Sequence, residues 1–366
     1  MKPYCTAAHT QRCGRSCLLL ASAILTHTLL ALVTAVSAGC SRSSSGDMQR
    51  FGKYILVATM TDDASQEKCK ANAEDLLLKH PDLRCMVGLW AYNPPAILAA
   101  VKASRKEGKL AIVGFDENEE TLQGIRDGHI YGTVVQQPYQ FGYHAVRVLA
   151  ALARGDRDVL VRPFEKDGVT YRFDKDILYI PHRVIKKDNV DAFHAEIRKL
   201  KSGAGTPTVK APDGVRVAFL SNNAYEFWTF ARRGTEQAAQ DFQVEVEFHM
   251  PARGTAEEQK QIIEDLIVKG IKGIAISPNA AEYQAQFLDQ VVEKYKIPVI
   301  TQDSDLPPGS KRICYIGTNN YEAGRAAGQL VREVLPEGGK IAIFVGKLDV
   351  QNAVDRRRGV LDALQD

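Results

Sequence analysis

Two aspartates each stand directly behind an apolar run: Asp116 closes KLAIVGFD and Asp303 closes IPVITQD. A carboxylate at a strand end can accept hydrogen bonds from two adjacent hydroxyls of a guest, and its charge strengthens them. The competing role is helix capping, which Asp often fills after a strand. Amides occupy comparable joints, with Asn93 after MVGLWAY and Gln136 in VVQQP. An amide donates and accepts, matching the dual character of a hydroxyl, although Gln136 can equally be hinge structure. Asn223, Phe227 and Trp228 follow VRVAFLS. There an aromatic face either covers the apolar side of a ring or begins the core face of a helix. Asn352 and Arg356 lie one helical turn apart in NAVDRRRG. A guanidinium offers a fixed fork of donors; the alternative is a solvated basic run, to which Arg357 and Arg358 are assigned.

Other chemistry finds less support. Two acids on opposite walls could serve glycoside hydrolysis, but that needs a scissile bond and a water path, and nothing in the sequence supplies either. His80, His129, His144, His182, His194 and His249 have no metal or catalytic spacing. There is no G-x-S-x-G, P-loop or glycine-rich dinucleotide fingerprint, and no C-x-x-C pair. The expectation is a protein that is not an enzyme and holds no cofactor or metal.

The elements that must place these residues alternate. From residue 54, YILVATM, CMVGLW, KLAIVGF and YGTVVQ read as buried strands separated by amphipathic helices. From residue 215, VRVAFLS, VEVEFHM, IKGIAIS, IPVITQD, CYIG and KIAIFVG repeat the rhythm, with Gly and Pro at the joints. Such βα repeats predict an α/β fold with parallel sheets covered on both faces. Residues 158–212 differ: VRPFEKDGVTYRF can form a hairpin turning at residues 166–168, DILYIP a strand, and DAFHAEIRKLKSG an amphipathic tail. SGAGTPTVKAPDG has linker composition.

At the N-terminus, Arg12 and Arg15 precede an uncharged, largely apolar stretch, 18–38, which ends in small residues before Cys40. That is the pattern of an export signal over residues 1–39, with a transmembrane anchor as the alternative. VSAGC resembles a lipoprotein box in which Cys40 is lipidated, and the Ser-rich tether of residues 40–49 would then hold a soluble body at a membrane face. Ser37 stands where an aliphatic residue is usual. Beyond the signal, 44 basic residues face 44 acidic ones, so nucleic acid is not an expected partner and a monomer is the expectation. Cys69 and Cys85 could pair, although unpaired buried thiols fit their neighbourhoods better.

Several segments together carry a family resemblance. VAFLSNNAYEFWTFARRG, IPVITQDSD, YIGTNNYEAGRAAG, NAVDRRRG, LWAYNPPAILAA, IVGFDENEETLQGI and GTVVQQPYQFGYHAV resemble, in type and spacing, the ribose-binding proteins of ABC transporters. Their fold is the type I periplasmic-binding fold. The resemblance covers nearly all of residues 50–366, but the family's usual order begins at the strand near Val215 and ends near residues 177–193, so the halves look circularly permuted. It departs from the pattern by an apparent two-residue insertion at Ala224–Glu226.

The resemblance implies two doubly wound lobes joined by three crossovers. One lobe would take residues 50–136, 177–200 and 320–366, the other residues 137–160 and 214–319, with a linker over 201–213 joining the family's old termini. It also implies an exported protein that binds a monosaccharide or similar polyol between the lobes and delivers it to an ABC permease. The ligand set would be Asn223, Phe227, Trp228, Asp303, Asn352, Arg356, Asn93, Asp116 and Gln136. Thr61, Asp62 and Asp63 match a ligand loop less tightly, and Thr318 and Asn320 are expected to cap a helix. A sugar sensor signalling to a receptor or kinase and a sugar-processing enzyme are the alternatives.

Overall fold

Buried strands need helices on both faces, and the chain supplies them in alternation. The computed structural model describes residues 48–202, 209–348 and 350–366. The export segment, Cys40, the tether before residue 48 and residues 203–208 of the linker lie outside the described residues.

Strand β1 (Gln49–Phe51) turns back along β2 (Tyr54–Thr61). Helix α1 (Gln66–Lys79), β3 (Leu83–Gly88), α2 (Asn93–Ala103), β4 (Ala111–Phe115), α3 (Glu119–Arg126) and β5 (Gly132–Val135) follow in turn. Helix α4 (Pro138–Ala153) leads to a hairpin of β6 (Phe164–Lys166) and β7 (Val169–Tyr171), then to β8 (Ile177–Tyr179), β9 (Arg183–Lys186) and α5 (Val190–Ser202). Alternation resumes with β10 (Arg216–Leu220), α6 (Phe227–Phe242), β11 (Glu245–His249), α7 (Ala256–Val268), β12 (Ile274–Ile276), α8 (Ala281–Tyr295), β13 (Val299–Gln302) and β14 (Tyr315–Gly317). Last come α9 (Asn320–Val334), β15 (Gly339–Val345) and α10 (Gln351–Gln365).

The strands form two large sheets. The first has the order β1-β2-β15-β3-β4-β5-β9, parallel except for its antiparallel edge strands β1 and β9. The second, β11-β10-β12-β13-β14-β8, is parallel throughout. The chain passes between the sheets four times: after β5, after β8, after β14 and, from β9 to β10, once more. Each sheet is sandwiched: one face of the first packs Leu76, Ile97 and Phe193, the other Ala327, Ile343 and Val360. The second sheet packs Val148 and Trp228 on one face and Ile263 and Leu288 on the other. That two-sided burial is what makes its strands read as continuous apolar runs.

Three expectations need correction. Residues 177–179 belong to the second sheet, because β8 pairs with β14 rather than with any strand of the first. The crossing falls at 180–182, where Ile180 N–H still donates to the Gly317 carbonyl and Pro181 has no N–H to extend the ladder. Strands β1 and β9 were not expected; both are short antiparallel edges. Thr318 and Asn320 do not cap α9. Asn319 does, its side chain accepting from Glu322 N–H.

Local signals explain the helix starts. Ser65, Asn118 and Thr255 cap α1, α3 and α7 through their side-chain oxygens. Pro94 and Pro138 sit in the first turns of α2 and α4, where a missing N–H costs nothing. The three cysteines among the described residues, Cys69, Cys85 and Cys314, are buried and unpaired.

Helices α9 and α10 cross closely enough to fix a functional side chain. A Cβ added to Gly324 would lie 2.2 Å from the carbonyl oxygen of Arg356. Gly324→Ala must therefore push α10 away from α9. It is expected to cost about 1–3 kcal/mol in urea unfolding and to weaken binding at Arg356. An unchanged unfolding midpoint would show that this crossing is loose.

Candidate functional site

The carboxyl ends of the two sheets' strands face one another, and the predicted acids sit there in matching conformations. Asp116 follows β4 with φ 62°, and Asp303 follows β13 with φ 63°. Left-handed backbone is uncommon for a residue with a Cβ and gathers at functional positions. Both residues keep their N–H in the ladder, Asp116 to the Val134 carbonyl at 2.8 Å and Asp303 to the Ile316 carbonyl at 3.3 Å. The carboxyls are thereby turned out of the strand line. Neither caps a helix; Asn118 caps α3.

Arg356, on α10, joins them. It is 2% exposed, and its guanidinium lies 4.7 Å from the centroid of the Phe115 ring. Its Nη1 donates to the Leu89 carbonyl at 2.9 Å, and its Nε donates to Asn320 Oδ1 at 2.9 Å. Nη1 also stands 4.0 Å from Asp116 Oδ2. Gln136 Nε2 donates to Asp116 Oδ1 at 3.0 Å. In the second sheet Asp303 Oδ2 accepts from Ser277 Oγ at 3.3 Å, and the Tyr315 hydroxyl donates to the Asp303 carbonyl at 3.0 Å.

One cation thus serves two buried acids. Burial pushes the Asp303 carboxyl up to about 6; Arg356 opposes that rise and Asp116 adds to it. Asp116 is raised for the same first reason, with Arg356 and Gln136 opposing. A guest that donates hydrogen bonds would relieve both.

Buried polar atoms without partners lie around this cluster: Gln136 Oε1, Asn352 Oδ1, Thr318 Oγ1, Gln302 Oε1 and Trp90 Nε1. Their residues follow or end β5, β15, β14, β13 and β3. A buried polar atom without a partner costs about 1–3 kcal/mol, so several at one set of strand ends call for a polar guest.

The other predicted residues are placed differently. Asn93 is fully buried, its Oδ1 accepting from Trp90 N–H at 2.9 Å and its Nδ2 donating to Asp62 Oδ2 at 3.0 Å. It fastens the loop after β3 to the loop after β2. Asp62 also accepts from the Tyr92 hydroxyl and the Ala64 N–H, whereas Asp63 pairs with Lys68 in solvent. Asn223 is partly exposed, and its Oδ1 accepts from Tyr225 N–H at 2.9 Å. Trp228 is 2% exposed in the core with Phe219, and its indole N–H donates to Asn222 Oδ1 at 2.8 Å. Phe227, edge-on to Trp228 at 4.9 Å, keeps part of its surface free. Arg357 is not simply solvated, since its Nε donates to Thr59 Oγ1 at 2.9 Å.

Sequence reasoning overlooked Trp90 and Gln302 and assigned Thr318 to a cap. The available signal was position: each ends or follows a buried strand on the ligand side. Among the described residues no group of His, Cys, Asp and Glu could hold a metal, and no helix is long and apolar enough to cross a membrane.

Comparison with known proteins places this arrangement. The family described as "Periplasmic binding protein domain" matches residues 34–157 and 217–366. The ribose import binding protein of Bacillus subtilis (strain 168) is 30% identical over 106 residues, 29% of this chain and 34% of that protein. The D-allose-binding periplasmic protein of Escherichia coli (strain K12) is 28% identical over 146 residues, 38% of this chain and 47% of that protein. The matched stretches thus span between a third and a half of these relatives. A solute-binding protein of Burkholderia graminis C4D1M, solved in complex with D-arabinose, shares 34% identity with a TM-score of 0.38, covering 41% of this chain and 51% of its own. With the family matched over most of its length and two parallel sheets meeting at their carboxyl ends, the chain belongs to the periplasmic binding proteins of the type I fold.

Proposed function

We propose that the protein binds a monosaccharide or similar polyol, unaltered, between its two lobes. The observation that carries this reading is the cluster of Asp116 and Arg356 from one lobe with Asp303 from the other, ringed by polar atoms lacking partners. Vicinal hydroxyls can donate to the acids and accept from the guanidinium together. Phe227 supplies the aromatic wall, backed by Trp228 from the core, and Asn223, Asn352, Gln136 and Asn93 complete or brace the site. Relatives named for ribose and D-allose support this ligand class. Contacts to both lobes would shift the population toward the closed form through the crossovers. The closed protein would then deliver its sugar to an ABC permease from the cell envelope, after export by residues 1–39 and with lipidation at Cys40.

The same reading takes the chain order as a circular permutation. Collinear alignment can follow only one of two reordered blocks at a time, which fits relatives matched over 34% and 47% of their length.

A thermal-shift screen against ribose, arabinose, allose and inositol tests the function. Because a ligand of the native state raises its melting temperature, at least one compound should raise the midpoint by several degrees. Chromatography should recover that compound unchanged. No shift with any polyol would sink the binding reading, and conversion to product would replace it with an enzyme.

A further inference from the structure

A second recess, of about 200 Å³, opens beside the first two crossovers. Its polar wall includes Glu117, Gln136 and Gln140, which are 8%, 5% and 7% exposed. Each carries a buried acceptor oxygen without a partner: Glu117 Oε2, Gln136 Oε1 and Gln140 Oε1. The orientation of both amides is fixed by chemistry, because their nitrogens donate to carboxylates. Gln136 Nε2 reaches Asp116 Oδ1 at 3.0 Å, and Gln140 Nε2 reaches Asp167 Oδ2 at 3.2 Å. What the two amides leave unpaired is therefore acceptor oxygen only, and a guest must bring donors to them.

Charge narrows the class further. Glu117, Asp167 and Glu196 line the recess; Arg183 is forked onto Glu196 at 2.8 and 3.0 Å and Lys166 stands 3.6 Å from Asp167, which leaves Glu117 as the lining acid with no ion pair among the described residues. Lys201 nearby is held by Glu226 at 2.9 Å. Burial, followed by the neighbouring Asp116, raises the Glu117 carboxyl to about 8, so it is held neutral at pH 7 until a cation beside it lets it ionise. The rest of the wall is apolar, with Phe193 and Leu200 on α5 and Phe230 on α6. Unpartnered acceptors, an acid without an ion pair and an apolar wall together suit a cation with a hydrocarbon body.

We propose that this recess binds a small organic ammonium ion, its N–H groups donating to Glu117, Gln136 and Gln140 and its carbons lying on Phe193, Leu200 and Phe230. The walls come from both lobes, so such a guest favours their closed arrangement. This site goes beyond the sugar reading and does not depend on it, although Gln136 borders both.

Isothermal titration of the sugar-free protein with butylammonium chloride, against sodium chloride of equal ionic strength, tests it. Saturable binding is expected, with butan-1-ol and butyrate showing none. Glu117→Gln and Gln140→Leu, each verified as folded by circular dichroism, should each weaken binding about tenfold or more, equal to about 1.4 kcal/mol. The proposal is overturned if butylammonium does not bind saturably, if butan-1-ol binds as well, or if both variants bind like the parent protein.

Discussion

Arg356→Ala should lower sugar affinity about 100-fold or more, which is about 2.7 kcal/mol, and erase the ligand-dependent rise in melting temperature. The side chain stands 4.0 Å from Asp116 and its charge also acts on Asp303, so its loss removes a charged donor from the ligand and the cation that serves both acids. A hydrogen bond to a charged group contributes about 1.5–3 kcal/mol, and closing the lobes over two uncompensated carboxylates adds to the deficit. The ligand-free protein should remain folded but lose about 1–3 kcal/mol, because the Leu89 carbonyl and Asn320 Oδ1 lose their donor. Arg356→Lys should recover only part of the affinity, since an ammonium cannot reproduce the fork. Calorimetric titration and urea unfolding separate the two effects. Unchanged affinity would remove Arg356 from the site.

Asp303→Asn should act in opposite directions on stability and binding. The folded protein raises this carboxyl to about 6, against 3.8 for the free side chain. The fold therefore favours the neutral form. Its stabilising contribution is complete below about pH 4 and is lost as the pH rises through about 6. At pH 7 the ionised group imposes a penalty of at most about 3 kcal/mol, less where opening of the lobes rehydrates it. An amide in its place carries no such penalty, so the variant should melt higher than the parent at pH 7, with the difference vanishing near pH 4. Sugar affinity at pH 7 should nevertheless fall about 10–100-fold, because a charged acceptor has become a neutral one. Melting curves from pH 4 to 8 check the first effect and titration the second. A variant that melts lower at pH 7 would show that Asp303 is not held under strain.

What could be read in advance follows from which information is local. Apolar runs ending in Asp116 and Asp303 marked strand ends, and parallel sheets with helices on both faces made that reading dependable. The sheet to which a strand belongs is a long-range matter. DILYIP announces a strand but not that Ile177–Tyr179 pairs with Tyr315–Gly317. The short antiparallel β9 lacked any such apolar run. At Thr318–Asn319–Asn320, three residues able to cap stand in a row. One step of helical register decides that Asn319 caps while Asn320 turns to Arg356, and composition does not contain that step. Asn93 and Trp228 show the same limit at the level of side chains. Their positions were legible, but their engagement with Asp62 and Asn222 depends on loops brought together only by folding.

The most direct measurement is a crystal structure of the protein grown with the polyol that raises its melting temperature most. Density for one intact ring is expected between Phe227 and the first lobe, with hydroxyls within hydrogen-bond distance of Asp116, Asp303 and Arg356. A sugar found elsewhere, with those three side chains contacting only one another, would contradict the account.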